Sequence, residues 1–447
     1  MTATPVATAA RVRRLERSLG IGFGVAVGVG GMIGAGILRS PAEVARQLPT
    51  PGLFLGAWLL GGVWALLGAN AVAELATTVP RSGGQYVFVR RALGPFAGFL
   101  VGWNDWLSST ASVAAIAIVE AEALGTLVPW LAAHQVLIAE IGVAVTTFVL
   151  MRGLHESDRA QRATSAVKAV ALLALIGACL VWRARGGVAE AVAHAPAAPH
   201  GWTLIAALAV ALQGIVFAFD GWVGVAYFSG EVREPGREIP RAIIIGLLAT
   251  LVIYLLVNIA FLAVLPMSVI AASPLAAASA ASIVFGARGG MIVQLLIALA
   301  LPSAIVANTL FASRVLGALA QDHMAPGALA GVNDRGTPAP ALFVGGVAIA
   351  LFLLSGTFER LITICSFLFV ASYSLSFLSV FVLRHREPDT PRPYRSWGHP
   401  WTTGVVFLAS LAFLGATLAA DVRSAAIVAA LLVLSYPAYR VVARRAA

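Results

Sequence analysis

The sequence predicts an all-α integral membrane protein with about twelve transmembrane helices. Three observations carry this. Hydrophobic residues make up 60% of the 447 positions and Asp, Glu, Lys and Arg only 11%, where a soluble domain carries about 25% charged residues. A surface that poor in charge faces lipid. Apolar runs of roughly 20 residues, each long enough to cross a ~30 Å hydrocarbon layer as a helix, recur along the whole length. The runs are continuous rather than alternating, which excludes a β-barrel and leaves a helical bundle.

In chain order the spans fall at about 19–46, 53–78, 94–126, 136–152, 161–183, 203–230, 240–264, 288–320, 338–356, 360–384, 401–420 and 424–443. An even count places both termini on one side. Arg11, Arg13, Arg14 and Arg17 precede the first span, which marks that side as cytoplasmic. The connectors agree: with these four, 22 arginines fall in segments assigned to the inside and 7 in segments assigned to the outside. The expectation is a multi-pass protein of the cytoplasmic membrane with both termini in the cytoplasm. No soluble domain interrupts the 1–447 chain. The connector at 265–287, rich in Ala and Ser, has the composition of short helices lying over the outer face.

Composition also excludes function classes. The net charge of +10 invites a nucleic-acid reading, but the arginines sit in short connectors between spans, so no nucleic-acid partner is expected. The two cysteines, Cys179 and Cys365, lie inside apolar runs and form neither a disulfide framework nor a metal motif. All seven histidines fall in or beside connectors, so no metal and no cofactor is expected at depth. An enzyme is not expected, since Ser109 and Ser112 have no visible base partner. A channel filter and an ATP-binding loop are missing. The polar N-terminus, followed by a long first apolar run, is not a cleavable signal.

Two spans are interrupted. In the first, Gly28, Gly30, Gly31, Gly34 and Gly36 place five glycines in nine residues at mid-span, each weakening a helix by roughly 1 kcal/mol relative to alanine. Close helix packing is the competing explanation. In the sixth, Asp220 and Gly221 follow Phe217, Ala218 and Phe219 near mid-span, and an acid in lipid costs a few kcal/mol unless it faces protein or water. The two breaks are five spans apart. Five is odd, so the second unit runs inverted relative to the first, as in transporters whose site lies between two broken helices. This divides the chain into 19–183, 203–384 and two additional helices over 401–443. The free N–H groups at Ala35, Gly36 and Ile37, at the start of the outer half of span 1, suit a carboxylate. The carbonyls near Met32, Ile33, Phe217 and Ala218 suit an ammonium. One pocket, also bounded by Gly34, Phe219, Asp220 and Gly221, then holds both ends of an α-amino acid.

These residues resemble the amino acid–polyamine–organocation (APC) superfamily, within the LeuT-like five-plus-five inverted-repeat fold, and look closest to bacterial relatives of the L-type amino acid transporters. The resemblance rests on Gly30-Gly31-Met32-Ile33-Gly34-Ala35-Gly36-Ile37, on Glu74 with Pro80-Arg81-Ser82-Gly83-Gly84-Gln85-Tyr86, on Phe217-Ala218-Phe219-Asp220-Gly221-Trp222 with Glu231, Pro235 and Ile239-Pro240-Arg241-Ala242-Ile243, and on Arg392-Pro393-Tyr394-Arg395. It implies an amino acid permease with helices 1 and 6 unwound at mid-membrane and Phe217 as an occluding gate. Ala35 stands where relatives commonly carry a hydroxyl residue, and Val223 where some carriers of large neutral substrates have a polar one. Heteromeric relatives join a heavy chain through a cysteine between spans 3 and 4. Residues 125–135 contain none, so no disulfide-linked heavy chain is expected.

Lys168 is the only lysine, set against 29 arginines. A lysine can lose its proton when desolvated and an arginine in practice does not. By resemblance, a lysine at this place in span 5 replaces the sodium of sodium-coupled cousins, so Lys168 is the expected proton-coupling residue; snorkelling to the inner interface is the bland alternative. Glu74 reads as structural, and Glu120 and Glu122 as a solvated outer vestibule. Glu231, Arg233, Glu234, Arg237, Glu238 and Arg241 read as a solvated helix end, while Asp105 finds no role. With Asp220 the one acid clearly facing the pocket, the expected substrate is a neutral amino acid, carried by proton symport or by exchange (antiport). A polyamine, other amine or cationic amino acid carrier, and a sensor that binds without transport, stand as alternatives.

Overall fold

A computed structural model describes residues 20–81, 83–152, 158–187, 197–227, 229, 232–333, 337–355 and 357–446. The N-terminal arginines and Glu231 lie outside the described residues. The regular elements are helices: α1 (Ile21–Met32), α2 (Ala35–Gln47), α3 (Pro51–Thr78), α4 (Gln85–Leu93), α5 (Pro95–Leu127), α6 (Pro129–Ala132), α7 (Gln135–Met151), α8 (Asp158–Ala184), α9 (Gly201–Phe219), α10 (Gly224–Tyr227), α11 (Pro235–Val264), α12 (Met267–Ala272), α13 (Ala276–Phe285), α14 (Ala287–Gln321), α15 (Ala339–Leu353), α16 (Phe358–Arg386), α17 (Trp401–Ala420) and α18 (Val422–Ala446).

Among the described residues nine helices are long and apolar enough to cross a membrane. The broken pair α1–α2 and the shorter apolar helices α7 and α15 complete the twelve predicted spans. Prolines set several starts: Pro51, Pro95 and Pro235 sit in the first turn of α3, α5 and α11, where the missing N–H has no helical partner to lose. Two features depart from the predicted spans. The helix α4 forms where a bare connector was expected, and its Gln85, Tyr86, Phe88 and Val89 are buried. Span 6 is helical only to Phe219, followed by a turn and the four-residue α10. The connector at 265–287 folds into α12 and α13, the short helices its composition predicted.

Packing separates two groups. The halves of span 1, α3, α9 and α11 pack on one another, while α5 packs against α7, α14, α15 and α16. Helix α16 also reaches α3, α4 and α9 and so joins the groups. Below, the face at which α1 and α11 begin is called the terminal face, and the face carrying α12 and α13 the loop face.

A candidate substrate site between two interrupted helices

Helix α1 ends at Met32, and the Ile33 N–H still reaches Val29 O at 2.9 Å. Ile33 and Gly34 leave the helix before α2 starts at Ala35. In span 6, the Asp220 N–H closes the last turn of α9 on Val216 O at 2.9 Å, and Gly221 takes φ +112°, a conformation that favours glycine. The two breaks meet backbone to backbone. A Cβ on Gly36 would stand 2.5 Å from Ala218 Cα, and one on Gly221 would stand 2.9 Å from the Gly31 carbonyl carbon. Of the glycines singled out in span 1, Gly31 and Gly36 therefore serve close approach, while Gly28 and Gly34 have nothing within 4 Å of an added Cβ.

Tyr254 of α11 supplies what the broken helices lack. Its hydroxyl lies 2.6 Å from Met32 O and 2.8 Å from Ala218 O. A phenol carries one proton, so it is shared between two carbonyls from opposite breaks. Tyr254 was not singled out in the sequence, and it occupies part of the acceptor capacity assigned there to an ammonium.

Beside the breaks lies a cavity of about 170 Å³. Gly31, Asp220 and Gly221 line it from the interrupted spans. Its other polar walls are Asp105, Ser108, Ser109 and Ser112 of α5, Gln85 of α4, Tyr227 of α10, Asn308 of α14 and Tyr373 of α16. Tyr373 donates to Asp220 Oδ1 at 2.5 Å, and Tyr227 donates to Asp105 Oδ2 at 2.6 Å. No arginine, lysine or histidine is among the lining residues. The cavity thus holds two carboxylates, each oriented by a tyrosine, and no basic side chain.

The other residues singled out surround this cavity without lining it. Met32, Ile33, Ala35, Gly36 and Ile37 are buried, and Gly34 is half-buried between the two helix halves. Ala218 packs on Gly36. Phe219 turns to Trp58 and Tyr254, with ring centroids 6.3 and 5.0 Å away. Phe217 stands edge-on to Phe358 at 5.8 Å, on the loop-face side. Lys168 donates to Ser303 Oγ of α14 at 2.9 Å. Ser303 follows Pro302, which has no N–H to offer the preceding turn. Asp105 is the residue that sequence reasoning left without a role. Its signal was present: Asp105, Ser108, Ser109 and Ser112 recur at helical spacing and form one polar stripe.

Charge clusters close both faces. At the loop face Arg39, 5% exposed, bonds Glu43 at 2.5 Å, Glu122 at 3.0 Å and Glu359 at 3.1 Å. Its guanidinium also lies 5.1 Å from the Phe358 ring centroid. This corrects the expectation for Glu122, which is no solvated vestibule acid but a partner of a buried arginine; the spacing from Arg39 gave no hint of the contact. At the terminal face Glu74 is held by Arg384, Arg392 and Ser396, the structural role read for it.

Comparison with known proteins places this geometry. The family model described as "Amino acid permease" matches residues 24–435. The chain is 27% identical to the serine/threonine exchanger SteT of Bacillus subtilis (strain 168), over 92% of this chain and 93% of that one. It is 28% identical to b(0,+)-type amino acid transporter 1 of Mus musculus, over 87% and 80% of the two chains. It is 34% identical to an uncharacterized transporter of Mycobacterium tuberculosis (strain ATCC 25618 / H37Rv), over 97% and 93%. These relatives are transporters, not enzymes. A match across nearly the whole chain, on an all-helical membrane fold with two facing interrupted helices, means that the protein belongs to the amino acid permease family of the APC superfamily.

Proposed function

We propose that the protein is a secondary active transporter that carries amino acids across the cytoplasmic membrane by alternating access, without sodium. The observation that carries this reading is the backbone contact of the two breaks, Gly31 on Gly221 and Gly36 on Ala218, beside a cavity lined by Asp105 and Asp220. In this reading 19–183 and 203–384 are inverted repeats, 401–443 adds two helices, and both termini are cytoplasmic. The substrate carboxylate meets the N–H groups at Ala35 and Gly36, where the dipole of α2 begins. The ammonium turns toward Asp220. Met32, Ile33, Gly34, Ile37, Ala218, Phe219 and Gly221 shape the backbone around it, and Phe217 covers it on the loop-face side.

Lys168 is the proposed coupling residue. Its ammonium reaches across from α8 to α14 at Ser303, a fixed positive charge or a titrating one in the place of a sodium ion. A heavy chain joined by a disulfide has no cysteine to use in residues 125–135. The case for neutral substrates alone weakens, because it rested on Asp220 being the one acid in the pocket, and Asp105 shares the cavity.

Sodium-free uptake of a labelled amino acid mixture into proteoliposomes tests the proposal, with and without an inward proton gradient. The wild type is expected to accumulate substrate with the gradient, and Lys168→Ala to lose accumulation while keeping exchange. Uptake that needs preloaded amino acid and ignores the gradient would make the protein an exchanger with Lys168 a structural charge. No flux in either arm would remove the transport reading.

A further inference from the structure

A zwitterion leaves one acid in the cavity unanswered, and we propose that Asp105 selects substrates bearing a second cationic group, an amine or guanidinium on a short side chain. The inference rests on the amino acid transport proposed above and adds the substrate class.

The carboxylate and ammonium of an amino acid pair with the α2 N-terminus and with Asp220, at the two breaks. Asp105 stands apart from both, on α5, 5% exposed with its carboxylate at the cavity wall. A buried carboxylate is costly unless a cation or a full set of donors meets it. The groups that face the cavity around Asp105 come from four other elements. They are Gln85 of α4, Asp220 and Tyr227 from the span 6 turn and α10, Asn308 of α14 and Tyr373 of α16, with the buried Ser372 of α16 also beside the Asp105 carboxyl. Asp220 is a second negative charge, and the rest are neutral hydroxyls and amides.

Among the described residues, Lys168 bonds Ser303 and Arg39 bonds three glutamates, and neither lines this cavity. Tyr227 satisfies Oδ2 of Asp105 and so holds the carboxylate in place rather than neutralising it. A cationic group on the substrate is the missing partner. It would gain a charge-assisted hydrogen bond to the carboxylate, and a neutral side chain of the same length would not. The cavity volume of about 170 Å³ suits a short chain.

L-ornithine and L-norvaline share one carbon skeleton and differ by the terminal ammonium, so their affinities isolate this contact. Binding of each is measured on the detergent-purified full-length protein by ligand-induced thermal stabilisation and by displacement of labelled ornithine. The wild type is expected to prefer ornithine at least tenfold. In Asp105→Asn the ornithine-to-norvaline preference is expected to fall tenfold or more, and in Asp105→Glu to return in part. A wild type with no preference for ornithine overturns the proposal before any variant is made. So does a preference unchanged in Asp105→Asn, an equal loss of both ligands, or a preference lost in Asp220→Asn alone. Norvaline binding without ornithine binding would sink the role of Asp105 and leave amino acid recognition standing, whereas binding of neither would remove both.

Discussion

The two faces of the protein are closed by inverse charge clusters: one arginine among three glutamates at the loop face, one glutamate between two arginines at the terminal face. Glu74 is saturated. Arg384 donates to its oxygens at 2.8 and 2.6 Å, and the Ser396 N–H and hydroxyl donate at 2.7 and 2.8 Å. Arg392 adds a contact at 3.5 Å, and the Glu74 side chain is 3% exposed. Neighbouring Asn70 accepts from Tyr394 at 2.7 Å and from the Trp397 N–H at 3.1 Å, so α3 ties down the segment leading from α16 to α17. The Arg39 cluster is less complete. Arg46 joins it through Glu43 at 2.7 Å, giving two cations to three carboxylates. A saturated cluster is costly to open because any loss leaves a buried charge unpaired; in the loop-face cluster Arg39 is buried but Glu359 and Arg46 are 44% and 39% exposed, and these outer partners exchange for water at small cost. Both clusters link the span 1, 2, 6 and 7 group to α16, and the contrast predicts that the loop-face cluster parts more readily than the terminal-face one.

The largest expected effect is at the terminal-face cluster. Glu74→Ala leaves Arg384 and Arg392 facing one another, with an expected loss of about 3–5 kcal/mol in chemical unfolding of the detergent-solubilised protein. Glu74→Gln, which keeps the shape without the charge, is expected to lose less. A loss below about 1 kcal/mol for the alanine variant would erase the distinction between the two faces. The next effect opens the loop-face cluster. Arg39→Ala strands three carboxylates on α2, α5 and α16 and is expected to part them without unfolding the protein. With Cys179 and Cys365 replaced, the reactivity of a cysteine introduced by Phe217→Cys should rise about tenfold toward a membrane-impermeant thiol reagent, which corresponds to ~1.4 kcal/mol. Unchanged reactivity would mean that Phe217 is sealed by something other than Arg39.

The smallest effect is at the solvated Arg91–Glu387 pair on the terminal face, 2.6 Å between charges and partly exposed. Arg91→Ala is expected to cost at most about 1 kcal/mol. The hydrogen bond from Arg91 holds the Glu387 carboxyl below its ordinary value of 4.5. Its stabilisation is therefore present above that value and lost as pH falls below it. A melting profile from pH 7 to pH 3 should show wild type and Arg91→Ala converging at the acid end. Divergence there would reverse the sign of the interaction.

How much of this was legible follows from range. The spans could be read because lipid imposes a local rule, roughly 20 apolar residues per crossing. The breaks could be read because glycine at 28–36 and an acid at 220 contradict that rule. Helix α4 could not, because only part of its surface is apolar and its burial depends on α5 and α16 arriving beside it. Asp105 stood in a readable polar stripe, but a stripe does not say which cavity it faces. Glu122 was misread because its partner lies 83 positions away, and Glu359 is 320 positions from Arg39.

The sequence by itself determined the solvent, the positions of the apolar spans and of the two interruptions five spans apart, and the family. Each of these depends on composition or on pattern within one or two turns of helix. Tertiary structure alone decided that the interruptions touch through Gly31, Gly36, Ala218 and Gly221, and that Tyr254 shares its proton between them. It also put two acids into one cavity. Those outcomes depend on the relative placement of helices far apart in the chain, where a hydroxyl or a carboxylate finds its partner only after the backbone has brought the surfaces within about 3 Å.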